Sequence, residues 1–331
     1  MPNSPSFFSR RPRAPPPPPV TTFYLSSPSP STSSLRPIPP PSSPSAIPSH
    51  TLIFSLTHPH PSSSQATSFF LDCIPDPIGF LYHSSSFISK RLSLSNSDQI
   101  EWRHQLIQLE LEDKDGLAAT SGGKIAVSLK WVERIMHEVQ RGSKNVQSAI
   151  KEFKGVLLHE LVHTIQHDGF GSTPGWLIES IADYVRLLAS LGPEHWRGSG
   201  SGKTDKGWEE GYDIGARFLE WLTGLHQPPS VPQDRTRVEG SGSIPTQMVP
   251  TPTKINIDQP RESQYPNPTY KEQTPMPPTK PKERPGPFPD LVRLIDARLR
   301  YEKWEDEWWV EMTGLSLEGL WNQYMKYYGR S

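Results

Sequence analysis

Proline is unevenly distributed along this 331-residue chain, and its distribution limits where a folded core can form. Of the 38 prolines, 18 lie in residues 1–61 and 16 lie in residues 228–289, which leaves 4 elsewhere. Proline lacks a backbone N–H and restricts φ, so it interrupts helices and central strands. The sequence therefore predicts one domain, interrupted by an insert, with about 210 residues available for its core.

Four segments follow from this distribution. Residues 1–50, rich in proline and serine, are expected to form an unstructured tail, and residues 227–285 an unstructured insert. Residues 51–226 and 286–331 are expected to form the two parts of the folded domain. A proline-rich tail can also be a ligand for SH3- or WW-type modules, and that alternative remains open.

Charge and cysteine content restrict the partners and the compartment. A formal net charge of −1 gives no reason to expect a nucleic-acid or anionic-membrane partner. The sequence has no 18-residue apolar run, and no apolar segment follows its early arginines as in a secretory signal. Cys73 is the single cysteine, so no intrachain disulfide can form. These features favour a cytoplasmic protein over a secreted one, and we expect a monomer.

A metal-binding pattern lies near the middle of the chain, at His159-Glu160-Leu161-Val162-His163. Histidines four residues apart share one face of a helix and lie about 6 Å apart along its axis. Both imidazoles can then bind one metal, and Glu160 can take a proton from a water molecule there. A buried helix with two hydrogen-bonded histidines is the alternative interpretation.

A catalytic zinc normally takes a third protein ligand. His167 lies about 12 Å along the axis from the first histidine, which is too far to share a metal. The metzincin pattern requires a histidine where this chain has Gly169, so that class is excluded. Glu179 follows in a mostly apolar stretch, where a carboxylate is costly unless it is paired or metal-bound. Asp183 shares its face and could accept a hydrogen bond from a ligating histidine, although a solvent-exposed stripe with Arg186 is the alternative.

Further stretches around this pattern share features with a known family: residues 117–120, 124–128, 155–163, 166, 169, 174–175, 178–186, 211–213, 216–219, 320–321 and 324. In these stretches the chain resembles the plant basic secretory protein family and its fungal relatives. The resemblance covers about residues 104–226 and 288–328. The chain departs from the family at Ser180, where glycine is usual, and it is neither basic nor visibly secretory.

The resemblance implies an α+β, zincin-like metallopeptidase fold, in which an N-terminal mixed sheet precedes the active-site helix and C-terminal helices. It implies that Zn²⁺ is held by His159, His163 and Glu179. Asp183 would accept a hydrogen bond from the ring nitrogen of a ligating histidine that does not bind the metal. The substrate would be a peptide or protein. By the same resemblance, residues 124–129 would be the edge strand that pairs with an extended substrate.

The expected mechanism uses a metal-activated water, with Glu160 as the general base, to hydrolyse a peptide bond. Tyr212 and His195 are candidates, from residue type and resemblance, for the second donor to the oxyanion. Two other functions remain open. One is a non-catalytic interaction protein with a zincin-like fold and proline-rich arms, and the other is a zinc hydrolase of a non-peptide amide.

Hydrophobic periodicity predicts the remaining elements. Between residues 62 and 100 only a helix over 64–71 is expected, since Pro75 and Pro77 should break any further helix. Thr173 is expected to cap the helix that carries Glu179. The other predicted strands cover 52–56, 104–112 and 124–129, and the other predicted helices cover 131–139, 146–166, 174–191, 208–225, 290–313 and 316–328.

Overall fold

A computed structural model describes residues 17–26, 35–40, 52–94, 102–225 and 286–330. These residues belong to one compact unit with a mixed α/β architecture and a six-stranded mixed sheet, which confirms the expected class at that level. None of the described helices combines the length and apolar composition needed to cross a bilayer. The prediction of an unstructured insert over 227–285 falls outside the described residues.

The sheet has the strand order β2-β1-β3-β4-β6-β5. Strands β3, β4 and β6 are parallel, whereas β1 and β5 are antiparallel to the strands beside them. Burial alternates along β4 as its sequence predicts, with Ile107, Leu109 and Leu111 in the core. The strands are β1 (Val20–Ser26), β2 (Leu35–Ile38), β3 (Ile53–His58), β4 (Leu106–Glu112), β5 (Ala118–Ser121) and β6 (Lys124–Ser128).

Beyond β6 the sheet ends with strand β5, so the prediction that residues 124–129 form an edge strand is wrong. Lys124 of β6 pairs with Gln108 on one side and with Ser121 on the other, which places β6 inside the sheet. Strand β5 is short, contains only small and polar residues, and buries none of them fully. It therefore lacks the hydrophobic alternation that identifies a strand in a sequence.

Two strands lie within residues 1–50, where an unstructured tail was expected. Strand β1 pairs with β3 from Val20 opposite His58 to Leu25 opposite Ile53. Most residues of β1 are Val, Thr, Phe or Tyr, which favour strands, and pairing with the buried β3 stabilises them within a proline-rich segment. Strand β2 contains Pro37 but lies at the sheet edge, where proline does not interrupt a central ladder.

The helices follow the predicted order, with corrections at individual boundaries. The expected helix over 290–313 is two shorter helices, and the Glu179 helix has Pro174 rather than Thr173 at its N-cap position. The helices are α1 (Gln65–Cys73), α2 (Pro77–Leu92), α3 (Leu129–Gln140), α4 (Val146–Ile165), α5 (Gly175–Leu188), α6 (Tyr212–Thr223), α7 (Leu291–Leu299), α8 (Trp308–Thr313) and α9 (Leu317–Tyr327).

Helix α2 contradicts the expectation that proline breaks the chain near residue 77. Pro77 occupies the first turn, where its missing N–H costs no helical hydrogen bond. The Asp76 side chain caps this turn by accepting the Gly79 N–H at 2.8 Å. Farther along, the Ser89 hydroxyl donates to the Ser85 carbonyl at 2.9 Å, so its polar group is satisfied inside the helix.

The segments on either side of the undescribed insert meet in the folded domain. The Phe288 N–H donates to the Leu222 carbonyl at 2.9 Å. Helix α9 packs on α6 through an aromatic cluster in which the rings of Trp321 and Phe218 are 5.1 Å apart. Trp308, Trp309 and Trp321 are buried and Trp304 is partly buried, consistent with core packing rather than an exposed carbohydrate platform.

Candidate metal centre and cleft

Helices α4 and α5 bring three metal-binding side chains together. His159 and His163 come from α4 and Glu179 comes from α5, and one donor atom from each lies within 4.8 Å of the others. The Nε2 atom of His159 lies 3.0 Å from Glu179 Oε2 and 3.1 Å from His163 Nε2. Two imidazoles and one carboxylate form a donor set typical of catalytic zinc, so the residues present fit that ion.

The orientation of α4 follows from its sequence. Asn145 caps the helix by accepting the Ser148 N–H at 2.7 Å. Phe153, Leu157 and Leu161 recur at helical spacing and are buried in the core. The two histidines lie on another face, so burial of the apolar face directs their side chains out of the core, towards the cavity above the donor atoms.

A buried chain of polar groups contacts His159 at its Nδ1 atom, on the side of the ring away from the other donor atoms. Its Nδ1 atom lies 2.7 Å from Asp183 Oδ1, and Asp183 is 2 % exposed. The same oxygen lies 3.7 Å from Nη1 of Arg186, whose Nε donates to the Leu191 carbonyl at 3.0 Å. A Cβ at Gly155 would lie 2.5 Å from Arg186 Nε, so the glycine leaves space for this guanidinium. The structure thus pairs Asp183 with both His159 and Arg186.

Electrostatic coupling shifts the pKa values of these groups. Burial lowers the pKa of His159, but hydrogen bonds to Asp183 and Glu179 outweigh it and raise that pKa to about 9. Burial raises the pKa of Glu179, but the two histidines outweigh it and lower that pKa to about 2. The negative charge of Glu179 also raises the pKa of Tyr212. The centre therefore holds Glu179 in its anionic form and Tyr212 in its protonated form at neutral pH.

Glu160 lies beside the donor atoms and is held from strand β5. The Thr120 hydroxyl donates to Glu160 Oε2 at 2.7 Å and lies 3.0 Å from the Glu160 carbonyl. Thr120 had no predicted role, because it lies in one of the family-like stretches but has no distinctive spacing of its own. Its contact ties the edge strand to the residue next to the first histidine.

His167 lies beyond the end of α4, which stops at Ile165, and its contacts are with α7 rather than with the metal-binding atoms. Its backbone N–H donates to Asp296 Oδ1 at 2.8 Å, and its Nδ1 lies 3.0 Å from Asp296 Oδ2. Asp296 belongs to α7 and is buried. His167 therefore joins the end of α4 to the part of the domain that follows the insert.

A cavity of about 740 Å³ opens above the donor atoms. Tyr212, at the start of α6, is 54 % exposed, and its ring centroid lies 6.2 Å from that of His159. His195 also lines the cavity. The structure therefore places both candidate oxyanion donors in the same cavity as Glu160. Other residues of the lining are Ala118, Ala119, Val156, Ile178, Pro193 and Trp196.

The loop over residues 189–211 contributes His195 to this cavity and is anchored by contacts distant in sequence. Arg197 Nε and Nη2 donate to the two oxygens of Asp213 at 2.9 and 2.6 Å. The Gly200 N–H donates to the Tyr324 hydroxyl at 2.6 Å. These anchors had no visible signal in the sequence because they join the loop to α6 and α9.

A family model described as "Peptidase of plants and bacteria" matches residues 50–231, which is more than half of the chain. No curated protein and no solved structure matches the chain significantly. The family expected from the sequence is thereby confirmed. The matched range contains the three donor residues and Glu160, whereas helices α7 to α9 lie outside it.

Proposed function

Because the chain belongs to this family of plant and bacterial peptidases, we propose that it is a zinc-dependent metallopeptidase with a zincin-like fold. The observation that carries this proposal is the convergence of His159, His163 and Glu179 within 4.8 Å, immediately beside Glu160. A merely structural pair of histidines would not require a carboxylate from a second helix beside them. It would also not require a cavity that exposes all three groups.

The three donor residues would hold the ion, which when bound supplies a Lewis acid that polarises a carbonyl and acidifies water. His159 presents Nε2 towards the other donors because its Nδ1 is occupied by Asp183. Such an outer hydrogen bond sets the ring orientation of a ligating histidine. Asp183 therefore has a positioning role in the proposal.

Glu160 is the proposed general base. It takes a proton from the attacking water molecule and later gives that proton to the nitrogen of the departing amine. Thr120 holds one carboxylate oxygen and so restricts rotation of the side chain. This restriction keeps the carboxylate beside the donor atoms throughout the reaction.

Tyr212 is the proposed donor to the oxyanion, with His195 as the second candidate in the same cavity. A phenol with a raised pKa stays protonated at neutral pH and can donate a hydrogen bond where negative charge develops. The exposed position of Tyr212 at the first turn of α6 leaves its side chain accessible from the cavity.

The proposed substrate is a peptide or protein segment in extended conformation. Strand β5 pairs with β6 on one side, and Ala118, Ala119 and Thr120 line the cavity. An extended chain can add to such a strand through backbone hydrogen bonds. The proposal therefore moves the substrate-pairing role from β6 to β5.

The decisive test is Glu160→Gln. The variant should keep its zinc, since the three ligands are unchanged, while peptide hydrolysis falls by about 100-fold or more. Zinc content and turnover of a peptide library are measured on the same preparations, with chelator-treated wild type as the metal-free control. Near-wild-type turnover by Glu160→Gln would rule out this mechanism. A zinc-loaded wild type that cleaves no peptide would favour the interaction protein or the non-peptide amide hydrolase.

A further inference from the structure

The two histidines of the centre differ in the group that contacts their Nδ1 atom. His159 has the carboxylate of Asp183 at its Nδ1 atom, 2.7 Å away. His163 Nε2 faces the other donors, 3.1 Å from His159 Nε2 and 3.5 Å from Glu179 Oε2. Its Nδ1 atom instead lies 2.8 Å from Nε2 of the Gln166 amide. A histidine that binds metal through Nε2 carries its proton on Nδ1 and needs an acceptor there.

Gln166 is held rigidly enough to provide that acceptor. Its side chain is buried, and its backbone N–H donates to the Val162 carbonyl at 2.8 Å. Its backbone carbonyl accepts a hydrogen bond from Arg103 Nη1 at 2.9 Å. The side-chain Nε2 also donates to the Ile178 carbonyl at 3.3 Å, one residue before the third donor residue. One amide thus contacts both the second histidine and the backbone beside Glu179.

The amide oxygen of Gln166 is the unusual part of this arrangement. Within the described part of the chain, Oε1 is buried and has no hydrogen-bond partner. A buried acceptor without a donor costs free energy. Exchange of the amide oxygen and nitrogen would place Oε1 next to His163 Nδ1, where the N–H of a metal-binding His163 would have its acceptor. The same exchange would replace the 3.3 Å hydrogen bond from Nε2 to the Ile178 carbonyl, which is the longer of the two contacts.

We propose that Gln166 is a positioning residue for His163, and that its amide oxygen accepts the Nδ1–H of the ring when Nε2 is a metal ligand. This inference depends on the proposed zinc site. The oxygen and nitrogen of a glutamine amide occupy nearly the same space, so the hydrogen-bond partners decide which of them faces Nδ1. A hydrogen bond from Nδ1–H to the amide oxygen would fix the tautomer and the orientation of the His163 ring.

The test compares two near-isosteric substitutions in the full-length protein. Gln166→Met fills the same space without an acceptor, whereas Gln166→Glu supplies two acceptors but cannot donate to the Ile178 carbonyl. Zn²⁺ affinity is measured by competition with a chromophoric chelator, and circular dichroism of the metal-free proteins checks folding. We expect Gln166→Met to weaken zinc binding about 10- to 100-fold and Gln166→Glu to bind at least as tightly as wild type.

Each other pattern overturns the inference. Wild-type affinity in Gln166→Met would show that the side chain only fills space. Equal weakening of zinc binding in both variants would show that the affinity depends on the hydrogen bond donated to the Ile178 carbonyl, and not on an acceptor for His163. If Gln166→Met does not fold, weakened binding by folded Gln166→Glu is by itself contrary to the proposal, and retained binding supports it. A wild type that binds no zinc overturns the proposed function as well, so the two failures are distinguishable.

Discussion

The helix pair α4–α5 and the loop over 189–211 both line the cavity, but they are held in different ways. The helix pair places its donors by helical spacing and by short hydrogen bonds such as that between His159 and Asp183. The loop places His195 through contacts with residues far along the chain, including Tyr324 of α9. In the proposed function, the helix pair holds the metal, and the loop supplies His195, a candidate donor to the oxyanion.

This difference predicts separable defects. Changes in the helix pair should remove the metal, whereas changes in the loop anchors should impair turnover and leave the metal bound. The following variants are ordered by the size of the effect we expect.

Zinc binding should fail in a graded series within the helix pair. Glu179→Ala removes one of three ligands and should lower zinc occupancy severely, whereas Asp183→Asn should weaken affinity about 10- to 100-fold. His167→Ala is the matched control, because that side chain contacts Asp296 and not the donors. Zinc stoichiometry after dialysis against a weak chelator gives the order. Loss of zinc from His167→Ala with retention in Glu179→Ala would reverse our ligand assignment.

Release of the loop should reduce catalysis alone. Asp213→Asn weakens the paired hydrogen bonds to Arg197, and the resulting displacement of His195 should lower kcat/KM by about 10-fold or more. Zinc affinity should stay at the wild-type value. Arg298→Ala, which removes a charged group paired with Glu302 and Glu311 on the surface, serves as the control. Parallel loss of zinc in Asp213→Asn would show that the two regions are not separable.

The same ion pair predicts a pH dependence of stability. Burial raises the pKa of Asp213, but its bonds to Arg197 outweigh that effect and lower the pKa below its usual value. A carboxyl with a lowered folded pKa contributes stability above its unfolded pKa of about 3.9, and this is lost as pH falls through the folded pKa. The Tm difference between wild type and Asp213→Asn should therefore be present at pH 6 and shrink at pH 3. A constant difference would contradict the assignment.

Removal of the loop's anchor on α9 should have a smaller effect. Tyr324→Phe leaves the Gly200 N–H without its acceptor and should lower the free energy of unfolding by about 0.5–1.5 kcal/mol. Denaturant unfolding measures this change, with the exposed Tyr301→Phe as the control. An unchanged free energy in Tyr324→Phe would mean that the loop does not depend on α9.

Replacement of residues 227–285 by a short Gly/Ser linker should have the smallest effect. The flanking segments already meet through the hydrogen bond between Phe288 and Leu222, so the join does not need the intervening chain. Closure entropy changes slowly with loop length, which favours retention of the fold. Soluble yield and zinc content are the measurements, and loss of either would show that the replaced segment packs on the domain.

The difference between the helix pair and the loop also explains which features of the structure could be predicted from the sequence. Helix α4 was predicted within one residue because Phe153, Leu157 and Leu161 repeat at helical spacing. The pairing of His159 with His163 was predictable from the rise per residue. Glu179 was a candidate because its carboxylate lies in a mostly apolar stretch, and the family resemblance completed the set. Those arguments use distances within one helix or between neighbouring helices.

Contacts between distant segments were beyond the same reasoning. Thr120 reaches Glu160 only because β5 is the sheet edge, which depends on the order of all strands. Strand β1 forms by pairing with β3 despite its proline-rich surroundings. Helix α2 is different, because Pro77 directly follows its cap, Asp76, and the two residues together are a local helix-start signal. The partners of Thr120 and of β1, by contrast, are not identifiable from the local pattern.

The packing of α5 against α6 makes positions 180 and 215 depend on each other. Ser180 is buried on α5, and a Cβ at Gly215 of α6 would overlap its hydroxyl. Glycine at 215 therefore leaves space for serine at 180, where the family resemblance implies glycine. Alanine at 215 would require position 180 to shrink or the helices to separate, and separation would displace the helix that carries Glu179. The two positions are therefore expected to tolerate a larger side chain at 215 only when position 180 becomes smaller.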